Sequence, residues 1–236
     1  MTHWYLARVN TSFFYIWLRG ILCSLWLITP VLAAERCSNH RTGISLSYSM
    51  KPTEYIRDIS ARELTDSHKG GNEAGIILGH ARGAVRTGFT MEYEFTPLRA
   101  RLYCFRVKKI RARFIAEPII HIASNFKRGS CEYSRVLRHE NEHVKILRKA
   151  HKGHVAGYKA HLRKVVRKIP DFPPMKITEI EQYKAEAADY INKAMSEYME
   201  YITKDVLARQ KKFDTPKEYQ RVNKQCKRWD KKLKDD

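Results

Sequence analysis

Two periodicities divide the chain. From about Gly43 to Ala123 apolar positions alternate with polar or small ones: Ile44, Leu46 and Tyr48, then Phe89, Met91, Tyr93 and Phe95, then Tyr103, Phe105 and Val107. Alternation with period two marks strands that bury one face, so this part of the chain is predicted to be mostly β. Between the first two runs, Ser60-Ala-Arg-Glu63 has the capping-box spacing that opens a short helix, and a Gly-rich turn follows at Gly70-Gly71.

After Ser130 the period lengthens to between three and four. Val136, Leu137, Glu140, His143, Val144, Leu147, His151, Val155, Tyr158, Leu162 and Val166 mark one face of a helix predicted from about Cys131 to Lys168. The prolines of Ile169-Pro-Asp-Phe-Pro-Pro174 stop it. A second amphipathic run carries Ile177, Ile180, Ala187, Ile191, Ala194, Tyr198, Ile202 and Val206, and it is predicted to return antiparallel along the first helix. These blocks imply an α+β fold: a twisted antiparallel sheet followed by a long antiparallel helical hairpin. The domain is read as residues 35–212, strand-rich over 35–125 and helical over 131–212, with a basic tail at 213–236.

The first 34 residues read differently. Arg8 and Arg19 precede an apolar run from Ile21 to Leu32 that ends in Ala33 and Ala34, the build of a secretory signal peptide. An uncleaved anchor is the alternative, since Phe13 to Leu18 extend the run toward the roughly 20 residues that span a bilayer. Loss of this leader removes Cys23 and leaves Cys37, Cys104, Cys131 and Cys226, an even set that predicts two disulfides in an oxidising compartment. Three connectivities are open. The expected location is periplasmic or secreted.

Charge adds a partner class. The chain has 45 Lys and Arg against 25 Asp and Glu, a formal +20, and a mature chain without the leader keeps +18. Such a surface attracts polyanions, which outside the inner membrane means anionic envelope polymers or lipid head groups. The basic runs Lys108-Lys-Ile-Arg-Ala-Arg113, Arg163-Lys-Val-Val-Arg-Lys168 and Lys227-Arg-Trp-Asp-Lys-Lys232 interleave with apolar residues as the outward sides of a strand and of helices do. No RNP, helix-turn-helix or zinc-finger pattern accompanies them, so specific nucleic-acid recognition is not expected.

One constellation carries chemistry. His139-Glu140-Asn141-Glu142-His143 satisfies HExxH inside the first long helix. Residues four apart on a helix share a side, so two imidazoles can converge on one metal ion at about 2.0–2.1 Å each. The intervening Glu140 is rotated by about 100°, which brings its carboxylate to a metal-bound water as general base. His139 and His143 are therefore the expected ligands of one zinc ion and Glu140 the expected catalytic residue.

The chain here resembles a bacterial domain-of-unknown-function family described as predicted secreted zinc-dependent proteases, within the HExxH zincin group. The resemblance runs from about Ser45 to Gln220. It rests on the leader, the strand-rich half with Cys104, the run Cys131-Glu-Tyr-Ser-Arg-Val-Leu-Arg-His-Glu-Asn-Glu-His-Val144 and the second long helix. It implies an exported zinc peptidase acting on a peptide or protein, with zinc on His139 and His143 and general-base chemistry at Glu140.

The third ligand is open at this stage. The family's downstream Tyr-Asp-x-x-Thr-x-His-Gly-like stretch compares with Phe213-Asp-Thr-Pro-Lys-Glu-Tyr-Gln220, which places Tyr219 where the family has histidine. If the hairpin pairs symmetrically about Asp171, Asn141 faces about Tyr201, and Glu197 or Asp205 falls within a turn of that level. Glu197, Asp205 and Tyr219 are the candidates. His151, His154 and His161 are read as polar helix-face residues, with a supporting role for His151 as the sharper alternative. The rival to a hydrolase is a lapsed or non-enzymatic exported protein that binds an anionic envelope component, with zinc structural or absent.

Overall fold

Period-two alternation becomes a sheet built on one long central strand. The structure is a computed structural model that describes Cys37, residues 41–67 and residues 75–233. The leader and the Gly70-Gly71 turn lie outside those residues. Strands β1 (Gly43–Met50) and β2 (Glu54–Ile56) are followed by helix α1 (Ala61–Asp66), then by the long strands β3 (Gly79–Pro97) and β4 (Leu102–Ile122). Every other strand hydrogen-bonds to β4. β3 pairs with it antiparallel along its length, while β1 and β2 pair with it parallel. A short β5 (Met175–Lys176) adds antiparallel at its start.

The sheet is thus mixed, a correction to the all-antiparallel expectation. Alternation of side chains tells which face a strand buries and carries no information about the direction of its neighbour. On the outward side of β4, Arg111 of the expected basic run pairs across strands with Glu92, and Arg106, just before that run, pairs with Glu94. Its inward side, Phe105, Val107, Ile110, Ala112, Phe114, Ala116, Ile120 and Ile122, is buried.

Two long helices cover that inward face: α2 (Cys131–Val166) and α3 (Ile180–Phe213). Ser130 caps α2 by accepting from the Tyr133 N–H, and Ser60 and Glu63 form the predicted capping box on α1. The helices run antiparallel, since His154 meets Asp205 while the later His161 meets the earlier Ala194 carbonyl. Phe114 of β4 stacks on Tyr158 and His151 of α2 with ring centroids 4.6 Å and 4.5 Å apart. This is the centre of the core.

The described part of the stretch 213–236 is joined to α2 through the Cys131–Cys226 disulfide. After α3 the chain turns at Asp214 and forms α4 (Pro216–Asn223) and α5 (Trp229–Leu233). Two disulfides resolve the connectivity: Cys37 joins Cys104, and Cys131 joins Cys226. The second ties the segment after α4 to the first residue of α2.

Candidate metal centre

α2 carries the HExxH residues about two to three turns in from its N-terminus, and all three are turned inward. His139, Glu140 and His143 are 7%, 5% and 6% exposed. Four-residue spacing places the two imidazoles one above the other, with Nε2 atoms 3.3 Å apart.

The third member is Asp214. Its Oδ1 lies 2.9 Å from His143 Nε2 and 3.3 Å from His139 Nε2. Ligands held tetrahedrally at about 2.0–2.1 Å from an ion sit about 3.3–3.4 Å from one another, so this triangle has the size of one face of a zinc site. Asp214 Oδ1 is buried and has no partner with hydrogen-bond geometry despite its closeness to both imidazoles. His139, His143 and Asp214 each bring one ligand atom within 4.8 Å of the others, a group that can hold a metal ion.

Support for this group comes from α4. Thr215 caps α4 by accepting from the Glu218 N–H, and Pro216 starts it, which fixes the turn that presents Asp214. Glu218 Oε1 lies 3.4 Å from His139 Nδ1 and is gripped by the Arg221 guanidinium. A carboxylate on the far ring nitrogen is the usual way a ligating histidine is oriented. Phe213 covers the imidazoles, stacked on His139 at 5.0 Å and edge-on to His143 at 5.2 Å.

Glu140 is held by the sheet. Its Oε2 accepts from the Ala81 N–H of β3 at 2.6 Å. This closeness needs glycine in the strand: a Cβ on Gly79 would collide with Val136 Cγ1 and stand 3.1 Å from Glu140 Oε1. Gly79, Ala81 and Gly83 lie on the inward side of β3, and their small size lets α2 lie against the strand.

The electrostatics ask for a cation. Burial pushes the Glu140 carboxyl above its ordinary pKa, and His139, His143 and the Ala81 N–H only partly offset it. Burial also pulls the His139 imidazole down, but Asp214, Glu140 and Glu218 outweigh it and leave the pKa raised. Asp214 resists its own burial because the two imidazoles hold it well below the usual carboxylate range. Three carboxylates, Glu140, Asp214 and Glu218, face the two imidazoles with the Arg221 guanidinium beside Glu218, and a divalent ion would offset their charge.

The third-ligand candidates read from the sequence fall elsewhere. Glu197 is exposed on α3, and Asp205 pairs with His154 at 2.7 Å and with Arg209 at 2.9 Å. Tyr219 packs its ring 5.5 Å from that of His139 without joining the ligand triangle. The hairpin is centred several residues beyond Asp171, because the residues after α2 are extended and enter the sheet as β5, so the level of His143 meets Asp214, just beyond the end of α3. The signal that could have found Asp214 was Asp214-Thr-Pro-Lys-Glu218, a helix stop followed by a Ser/Thr-x-x-Glu capping pattern with proline at the first helical position. His151 is buried in the core, donating from Nε2 to the Phe114 carbonyl at 3.2 Å, and takes no part in the site.

No family model, curated protein or solved structure matches the chain.

Proposed function

We propose that the protein is an exported zinc-dependent hydrolase, a peptidase, whose metal is held by His139, His143 and Asp214. The observation that carries this reading is the convergence of the three ligand atoms at distances of 2.9–3.3 Å beside the buried Glu140. Three protein ligands leave the fourth position of a tetrahedral ion open, as in catalytic zinc sites. Zinc bound there supplies Lewis acidity to water and to the scissile carbonyl.

The rest of the chemistry belongs to the chain. Glu140, made more basic by burial, takes a proton at its carboxylate and returns it to the leaving amine. Glu218 keeps the His139 ring in place, and Phe213 shields the imidazoles from water. A peptide is the favoured substrate because β3 pairs only with β4 among the described residues. Apart from the Ala81 N–H, which donates to Glu140, its other edge has no strand partner among the described residues, and an extended chain can add there as a further strand. Export accords with the two disulfides, and no described helix is long and apolar enough to cross a membrane.

Metal analysis of the purified mature chain should give one zinc per chain, with chelator-sensitive cleavage of a peptide library. Glu140→Gln should keep the metal and lose about 10²–10⁴-fold in turnover. Asp214→Ala should lose the metal itself. A second reading draws on the ligands coming from two separate segments, α2 and the turn after α3: the ion would then only clamp them. Metal that raises Tm while no peptide is cut would favour that clamp.

A further inference from the structure

Between His143 and Asp171 the chain has nine Lys and Arg and no Asp or Glu. All nine are exposed, and they lie on α2 from Lys145 onward or just beyond its end. Six cations of α2 form a line: Arg138, Lys145, Lys152 and Lys159 recur at every seventh residue, and Arg148 and Arg163 lie beside them. A seven-residue repeat drifts by only about 20° per step, so the line follows one helix face for about 38 Å. Among the described residues its only carboxylate partner is Glu142, 2.6 Å from Lys145. Dipole complementarity explains cations in the last turn of a helix but not along its whole length. α3 offers the contrast, because Glu181, Glu186, Asp189, Glu197, Glu200 and Asp205 are interspersed with its cations.

The surroundings of the line restrict what it fits. At its N-terminal end a groove of about 440 Å³ runs between α2 and β2, lined by Tyr55, Arg138, Asn141, Lys145 and Arg148 among others. Tyr55 and Tyr48 stand along the same side of the helix, 50% and 58% exposed, next to Asn141 and His151. A row of charge on one helix matches a linear polyanion better than a planar bilayer, and no large apolar side chain of α2 is exposed for insertion. Exposed phenol faces suit the C–H faces of sugar rings. The two disulfides belong to an oxidising compartment outside the cytosol, where an acidic glycan is a more accessible linear polyanion than a nucleic acid.

We infer that the Arg138–Arg163 face of α2, with Tyr48 and Tyr55 at its border, is a docking surface for a linear acidic polysaccharide. The face lies roughly half a turn of the helix wheel from His139 and His143, so the polymer binds without obstructing the metal centre. The inference stands apart from the hydrolase reading and holds or fails without it.

The test uses the mature chain and polygalacturonate as probe, with neutral dextran, an oligodeoxynucleotide of matched charge and anionic phospholipid vesicles as comparators. Polygalacturonate should bind with an affinity that falls steeply with salt. The triple substitution Arg148→Gln, Lys152→Gln, Lys159→Gln should weaken binding by about tenfold or more and flatten the salt dependence. A triple of equal charge change on α3, Lys193→Gln, Lys204→Gln, Lys211→Gln, should leave both nearly unchanged. Equal loss from the two triples would mean that whole-molecule charge is responsible and would overturn the proposal. So would tighter binding to the oligodeoxynucleotide or to the vesicles than to polygalacturonate. Tm and metal content of both triples serve as folding controls, and a triple that unfolds is replaced by the single Lys152→Gln change read by its salt slope.

Discussion

α2 and α3 are nearly equal in length, 36 and 34 residues, and they pack against each other on the same face of the sheet. Their interiors differ in kind. The buried polar and charged residues of the described chain, Glu132, His139, Glu140, His143 and His151, all lie on α2. α3 buries Ile180, Ala187, Ile191, Met195, Ile202 and Val206, all apolar. Burial of an imidazole or a carboxylate is costly unless a partner, a proton or an ion compensates it, whereas burial of an isoleucine is favourable by itself. The difference teaches that α3 holds the hairpin together, and that α2 spends part of its buried face on groups useful only in concert.

That contrast can be broken at several points. The largest effect is expected from Ile202→Ala, fully buried on α3, which should cost about 2–5 kcal/mol of stability in denaturant unfolding. Its metal stoichiometry should stay at the wild-type value. Loss of metal from the folded variant would show that α3 shapes the site as well as supporting it.

Next come two glycines of one strand. A Cβ at Gly79 meets the stiff Val136 and Glu140, and a Cβ at Gly83 meets the movable end of Leu147. Gly79→Ala should cost about 1–3 kcal/mol and lower kcat by displacing Glu140. Gly83→Ala should cost less and leave kcat unchanged; equal kcat in the two variants would dissociate β3 from Glu140.

Smaller still is the orienting carboxylate. Glu218→Gln should weaken zinc affinity by roughly 10–100-fold, measured by competition with a chromophoric chelator. Unchanged affinity would make the 3.4 Å contact with His139 incidental.

The smallest effect concerns pH. Burial lowers the His151 pKa below its ordinary value, against a weaker opposing contribution from the Phe114 carbonyl. A group depressed in the folded state is neutral there while the unfolded chain takes up its proton. Its contribution is therefore complete above about pH 6.5 and declines as pH falls below that. The Tm difference between pH 7 and pH 5, as about the limits of that window, should shrink in His151→Phe. An identical acid decline in the variant would assign it to other groups.

Much of the architecture was legible because burial repeats. Period two in Ile44, Leu46 and Tyr48 gave a strand, and the three-to-four period from Val136 to Val166 gave a helix ending within two residues of the predicted Lys168. The prolines between Ile169 and Pro174 separated the two helices as foreseen. Strand direction was not legible, because Ser45 and Leu46 alternate identically whether β4 runs beside them parallel or antiparallel. Nor was the cysteine pairing, which depends on which Cα atoms the fold brings within bonding reach.

The relative placement of His139, Glu140 and His143 was determined by the sequence alone, because helical geometry fixes how residues separated by one and four positions face each other wherever the helix lies. Asp214 was decided by tertiary structure. It stands 71 residues beyond His143, and its approach depends on the register of two helices across a connection whose extended residues join the sheet. Local pattern specifies the face a residue presents, but distance between faces on separate elements is set only when the whole core packs.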